Sequence, residues 1–203
     1  MNETGRVEAF SDGVLAIAIT LLVLELPVPR RDVGSLGHAL VEEWPSFAAY
    51  VTSFLVIGII WINHRAVFRS IGRMDRTLLF GNLVLLLFVA TIPFTTALFA
   101  EHLTEGGGNA RTAAVCYSAV MLGMALAFTA LHARATRHPG LLAEGVDAVA
   151  ARRTLRHFGL GVVVYSLTVV IALVSAVACL AVHFALALYY SFEQTRGLAP
   201  DRG

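Results

Sequence analysis

The 203-residue sequence has no lysine, only two cysteines, and few charged residues of either sign, 14% of the chain in all. Each shortage excludes something. With 57% hydrophobic residues and so little charge, a soluble domain of this length could not hide its apolar surface in one core. A net charge of +1 offers no basic footprint for nucleic acid. Cys116 and Cys179 sit inside apolar runs, and two cysteines at that spacing make neither a disulfide framework nor a metal motif. The missing lysines, replaced throughout by arginine, point to no particular function. A cleavable leader is not expected: the first apolar run, Val14 to Leu26, follows Glu8 and Asp12 rather than a basic segment, and Pro27-Val28-Pro29 is a poor cleavage site.

What is present is apolar sequence in helix-length runs, with a mean hydropathy of +0.74. A spanning helix needs about 20 mostly apolar residues. Six such spans are predicted, at 7–26, 46–63, 78–99, 112–133, 155–174 and 176–192, with the turn between the last two near Val174 to Ala178. They form one transmembrane domain, 1–203, of an all-α integral membrane protein. Arginine placement orients it. With both termini inside, twelve of the 15 arginines fall on the cytoplasmic side and only Arg30, Arg31 and Arg111 outside, as the positive-inside rule requires. The outer segments carry six carboxylates against those three arginines, either a mild cation-concentrating surface or ordinary loop solvation. Gly140 to His157 has apolar residues at Leu141, Leu142, Val146 and Val149 and then a basic cluster, and is expected to form an interfacial amphipathic helix.

The first span carries the pattern with most content. At helical spacing, Ile17, Thr20, Leu21 and Leu24 share one face within an arc of roughly 100°. Ser11 and Asp12 point elsewhere, toward helices of the same subunit. A carboxylate at membrane depth is costly unless paired or hydrated. Its candidate partners lie near the inner end of the second span, in Trp61-Ile62-Asn63-His64-Arg65. Two readings stay open: a network of Arg6, Ser11, Asp12, Asn63 and His64 that sets the tilt of the first helix, or a solvated Asp12 near a helix start. Elsewhere, His183 reads as a helix–helix hydrogen-bonding residue, Asn82 as an interhelical hydrogen bond, and Asp75 as a local ion pair with Arg73 or Arg76. Pro93 is expected to kink its helix, with Thr91, Thr95 or Thr96 satisfying freed backbone groups. Ala119, Gly123 and Ala127 form a small-residue face for close packing.

The run Arg6-x-x-x-Phe10-Ser11-Asp12-Gly13-Val14, followed by Ala16-Ile17-Ala18-Ile19-Thr20, resembles the signature of the transmembrane protein 175 family of potassium channels. Trp61-x-Asn63-His64 and the stretch Asn82 to Pro93 are similar to the family's prokaryotic branch, and the resemblance extends over all six spans. It implies a six-helix subunit assembled as a homotetramer, with the first helix lining the pore. It implies apolar constrictions at Ile17 and Leu24, with Thr20 or Leu21 between them. It also implies that Arg6, Ser11 and Asp12 pack with Trp61 and His64. The chain has no Thr-Val-Gly-Tyr-Gly filter, so selectivity for K⁺ over Na⁺ is expected to be modest. No cofactor or resident metal is expected; the partners are the bilayer, monovalent cations and further copies of the chain. Without a nucleophile in the polar cluster an enzyme is not expected. A secondary transporter, or a proton or general monovalent-cation leak, is the alternative, although no midplane carboxylate or inverted repeat supports a transporter.

Overall fold

The computed structural model describes the backbone of residues 3–29, 34–146 and 148–196, and the side chains of 3–29, 34–146 and 159–191. The described residues are almost entirely helical. In chain order they form α1 (Glu3–Leu21), a 3-10 turn (Leu22–Glu25), α2 (Leu36–Glu42), α3 (Trp44–Arg69), α4 (Arg76–His102), α5 (Gly107–Arg137), a 3-10 turn (Pro139–Leu141), α6 (Ala148–Val174) and α7 (Ala176–Arg196). Four stretches are long and apolar enough to cross a membrane among the described residues: Glu3–Glu25, Trp44–Arg69, Arg76–His102 and Gly107–Arg137. Gly159–Val174 and Ala176–Ser191 are shorter apolar helical segments.

Several expectations change. The connection expected from Pro27 to Glu43 contains a short helix, α2. Gly140 to His157 is not a separate helix: Pro139–Leu141 is a 3-10 turn, residues 142–146 are irregular, and α6 starts at Ala148 and runs straight into the fifth expected span. The amphipathic face expected over 147–158 lies outside the described side chains. Loop and loop instead join edge to edge. Gly72 and Arg73 donate their amides to the Leu141 carbonyl at 2.8 and 3.2 Å, and Ala143 donates to Ser70 at 3.0 Å. The break between α6 and α7 is confined to Ser175, whose hydroxyl accepts from the Ala178 amide at 3.2 Å and so caps α7.

Pro93 lies inside α4 and leaves the Val89 carbonyl without its helical donor. The neighbouring threonines bond to other carbonyls. Thr91 donates to Leu87, Thr96 to Ile92, and Thr95 to Thr91 and Ile92. Gly123 packs against Phe88, where a Cβ would overlap the ring, so the small residue sets how closely α5 approaches α4. Between α3, α4 and α5, Ser53 bonds Thr96 at 2.7 Å and Tyr117 at 2.9 Å. His183 is buried, and its Nδ1–H donates within its own helix to the Cys179 carbonyl at 2.9 Å. Among the described residues it reaches other helices through ring contacts with Tyr117 and Tyr165, not through the interhelical hydrogen bond expected.

Candidate functional site

α1 divides lengthwise into two stripes. Thr4, Ser11, Leu15, Ala18 and, in the turn that follows, Leu22 are buried. Their spacing is that of one helix face set against the groove between α3 and α4. The other stripe is open: Ile17 is 60% exposed, Leu21 41% and Leu24 74%. α1 is also the least buried of the four long apolar helices. Thr20 lies on the open side and turns its hydroxyl proton inward, donating to the Ala16 and Ile17 carbonyls at 3.0 and 2.9 Å. The proton is thereby occupied, and the oxygen lone pairs face outward as acceptors.

The end of this helix departs from the angular expectation. Leu22–Glu25 is a 3-10 turn, in which residues three apart eclipse. Leu24 therefore stands over Leu21 rather than over Ile17. The cause is Pro27, which pushes the residue before it to extended backbone; Leu26 has φ −75° and ψ 123°, and the helix tightens as it ends.

The buried stripe is pinned by polar groups from three helices. Ser11 is fully buried. Its hydroxyl donates to the Val7 carbonyl at 2.9 Å and accepts from Asn82 Nδ2 of α4 at 2.9 Å. The Asn82 carbonyl oxygen lies 2.9 Å from His64 Nε2 of α3. An amide oxygen only accepts, so His64 carries its proton on Nε2 in this arrangement. The imidazole stacks on Phe68 at 4.0 Å. One turn earlier on α3, Trp61 Nε1 donates to Asp12 Oδ1 at 3.0 Å, and the Arg65 guanidinium lies 5.9 Å from the Trp61 ring centre. The carboxylate at this depth thus has a donor from the neighbouring helix.

Of the residues singled out in the sequence, Ser11, Asp12, Trp61 and His64 come together at one level of the bundle. Asn63 sits half-buried between Trp61 and His64. The amide that links Ser11 to His64 is Asn82, an asparagine in an otherwise apolar run. Phe10 is exposed, as is Arg6. Among the described residues Arg6 does not join the network; it lines a separate groove against α4.

At the same end of the bundle Asp75 caps α4, accepting from the Leu78 amide at 2.7 Å. Its ion pair is with Arg134 of α5, at 2.6 Å, rather than with the sequence neighbours Arg73 or Arg76. The Leu78 amide first, and then the Arg134 guanidinium, hold this carboxyl below its ordinary value. At the other end, His102 and then Asn109 do the same for Glu105. Among the described residues no group of three or more His, Cys, Asp or Glu side chains could hold a metal ion.

Comparison with known proteins bears on this arrangement. The family model described as "Endosomal/lysosomal potassium channel TMEM175" matches residues 6–93, which contain most of α1, all of α2 and α3, and most of α4. A protein described as a potassium channel from Streptomyces collinus is 56% identical over 195 residues, 96% of this chain and 94% of that protein. One from Chamaesiphon minutus, also described as a potassium channel, is 38% identical over 195 residues, 95% of each chain. The crystal structure of a lysosomal potassium-selective channel TMEM175 homolog from Chamaesiphon minutus superposes with a TM-score of 0.86 at 36% identity, covering 95% of this chain and 98% of that one.

Proposed function

Because the chain belongs to the TMEM175 family, whose members are ion channels and not enzymes, we propose that it is one subunit of a potassium-permeable channel with α1 as the wall of the pore. The subunit crosses the cell membrane six times, with α1, α3, α4, α5, α6 and α7 as the spans and both termini inside. Four copies surround the axis, because a six-helix bundle is too thin to enclose a water path alone.

The observation that carries this reading is the division of α1. One stripe is packed and hydrogen-bonded to α3 and α4, while the other is apolar, open, and bears a single hydroxyl. In a ring of four copies, Ile17 forms one apolar collar, and Leu21 with Leu24 forms a second. Narrow apolar collars gate by excluding water. The four Thr20 oxygens between them present acceptors to a partly dehydrated ion. Potassium holds its hydration shell less tightly than sodium, so a passage requiring partial dehydration favours it. With no carbonyl cage, that preference is modest.

The anchor of Ser11, Asn82, His64, Asp12 and Trp61 fixes the rotation of α1, and with it which side chains face the axis. Its role is to orient; it does not touch the ion. The test is reconstitution of purified protein in planar bilayers under a potassium gradient. Discrete unitary currents with a reversal potential that follows potassium are expected. Slow, saturable, coupled flux without unitary events would establish a secondary transporter, and a reversal potential that follows pH alone would establish a proton leak.

A further inference from the structure

Arg6 belongs to the signature of the first helix yet stands apart from the anchor. It lines a groove of about 620 Å³ between the starts of α1 and α4. Arg76, the first residue of α4, lines the same groove and lies 5.9 Å over the Phe80 ring. Among the described residues Glu3 is the one carboxylate on its wall, against two arginines, so the described lining carries a net positive charge. Asp75, next to Arg76, is turned away onto Arg134 and the Leu78 amide. Since Glu3 opens α1 and Arg76 opens α4, the positive ends of two helix dipoles add to the same field. Below the arginines the wall is apolar, with Phe10, Phe80 and Leu83 all largely exposed.

We propose that this groove binds an anionic phospholipid, its phosphate held between Arg6 and Arg76 and its acyl chain laid along Phe10, Phe80 and Leu83. The occupant follows from the chemistry of the wall. A small soluble anion uses the guanidinium groups but not the exposed rings beneath them. An uncharged lipid uses the rings but not the two arginines. A phospholipid with a negative headgroup satisfies both at the depth where headgroup and hydrocarbon meet. The proposal requires that the chain lie in a membrane and, because Arg6 and Phe10 fall at the inner end of the same side of α1 as Ile17, that this end of the groove stay open to lipid in the assembled channel.

The test uses the purified full-length protein in detergent, titrated with short-chain phosphatidylglycerol, phosphatidylcholine or inorganic phosphate, with lipid retained per subunit counted by native mass spectrometry. Phosphatidylglycerol is expected to be retained in preference to phosphatidylcholine, and inorganic phosphate is not expected to displace it. Arg76→Gln and Arg6→Gln are each expected to weaken phosphatidylglycerol binding about fivefold, the factor that matches ~1 kcal/mol per arginine near an anionic surface. Glu3→Gln is expected to strengthen it. Leu83→Trp, which fills the exposed groove without changing charge, weakens it and keeps the test open if Arg6→Gln fails to fold. Arg65→Gln, on α3, leaves it unchanged. Retention insensitive to Arg76→Gln and Leu83→Trp overturns the proposal. So does displacement by inorganic phosphate, which marks a small-anion site. Disulfide cross-linking of Leu83→Cys to a second copy also overturns it, by showing that a neighbouring chain covers the groove.

Discussion

The indole N–H of Trp61 donates to the carboxylate of Asp12 across 3.0 Å, joining α3 to α1 one turn from the buried Ser11–Asn82–His64 chain. Trp61→Phe keeps the ring and removes the donor. The expected cost is ~1 kcal/mol, because the pair is partly exposed and a hydrogen bond to a charged group is worth more only when dry. Asp12→Ala is expected to reduce tetramer yield and detergent melting temperature while leaving the reversal potential unchanged. Normal assembly with altered ion preference would contradict the orienting role given to Asp12.

Asn82 is the linchpin of the buried chain, since it serves Ser11 and His64 at once. Asn82→Leu leaves the Ser11 hydroxyl without its donor and the His64 Nε2–H without its acceptor, at a cost of about 2–4 kcal/mol. Replacing all three partners together, with Ser11→Ala, Asn82→Leu and His64→Leu, is expected to recover part of that loss, because no orphaned group remains. Thermal melts of single and triple variants check this. A triple variant weaker than the sum of the singles would show that the three groups do not act as a unit.

Permeation is expected to respond to the open stripe of α1 and not to the buried one. Ile17→Asn and Leu24→Asn each hydrate an apolar collar and are expected to raise unitary conductance and lower the preference for potassium. Thr20→Val, which keeps the shape and removes the acceptor, is expected to shift the bi-ionic reversal potential toward sodium without closing the pore. If all three leave permeation untouched, α1 is not the wall.

Acid stability is expected to depend on Asp75. Its folded-state pKa lies below the ordinary 3.8, chiefly through the Leu78 amide and then Arg134. A carboxyl shifted this way contributes stability that is complete above the unfolded value and is lost as pH falls through the folded one. Melting temperatures should therefore be flat near neutral pH and fall below about pH 4. Asp75→Asn is expected to start lower at neutral pH and to lose less on acidification. An acid limb of equal steepness in both proteins would remove Asp75 as its source.

Gly72 is expected to tolerate no side chain. A Cβ there would lie 2.8 Å from Ala143 Cα and 2.9 Å from the Leu142 carbonyl oxygen, both backbone atoms that cannot swing away. Gly72→Ala should separate the two loops and cost about 1–3 kcal/mol. Proteolysis within 70–75 and 138–146 of the detergent-solubilised protein, faster in the variant than in the parent, is the expected sign.

Long apolar runs made the helices legible, because a bilayer-length stretch has few other solutions. The open face of α1 was legible for the same reason, since its period is local. Pairings between helices were legible only in part: the polar cluster of α1 was expected to meet Trp61 and His64, and Trp61 does bond Asp12. Asp75 is flanked by Arg73 and Arg76, yet its partner is Arg134, brought in by a loop contact remote in sequence. Asn82 was read as an interhelical hydrogen bond and makes two, but which residues it joins, Ser11 and His64, depends on how three helices cross. Arg6 was grouped with its signature neighbours, whereas its place on the helix turns it toward α4. The tightening of α1 at Leu22 was foreshadowed by Pro27, a signal that helical-wheel angles ignore.

That tightened last turn separates the two collars mechanically. Ile17 lies between the inward-facing Leu15 and Ala18, so turning it means unseating the packed side of the helix. Leu24 hangs beyond the last α-helical residue. Relaxing Leu22–Glu25 from three to 3.6 residues per turn would swing Leu24 by roughly 60° while everything before it stayed still. If the conduit has a shutter, the inexpensive place to put it is the rim beside Pro27, with the isoleucine ring serving as a fixed throat.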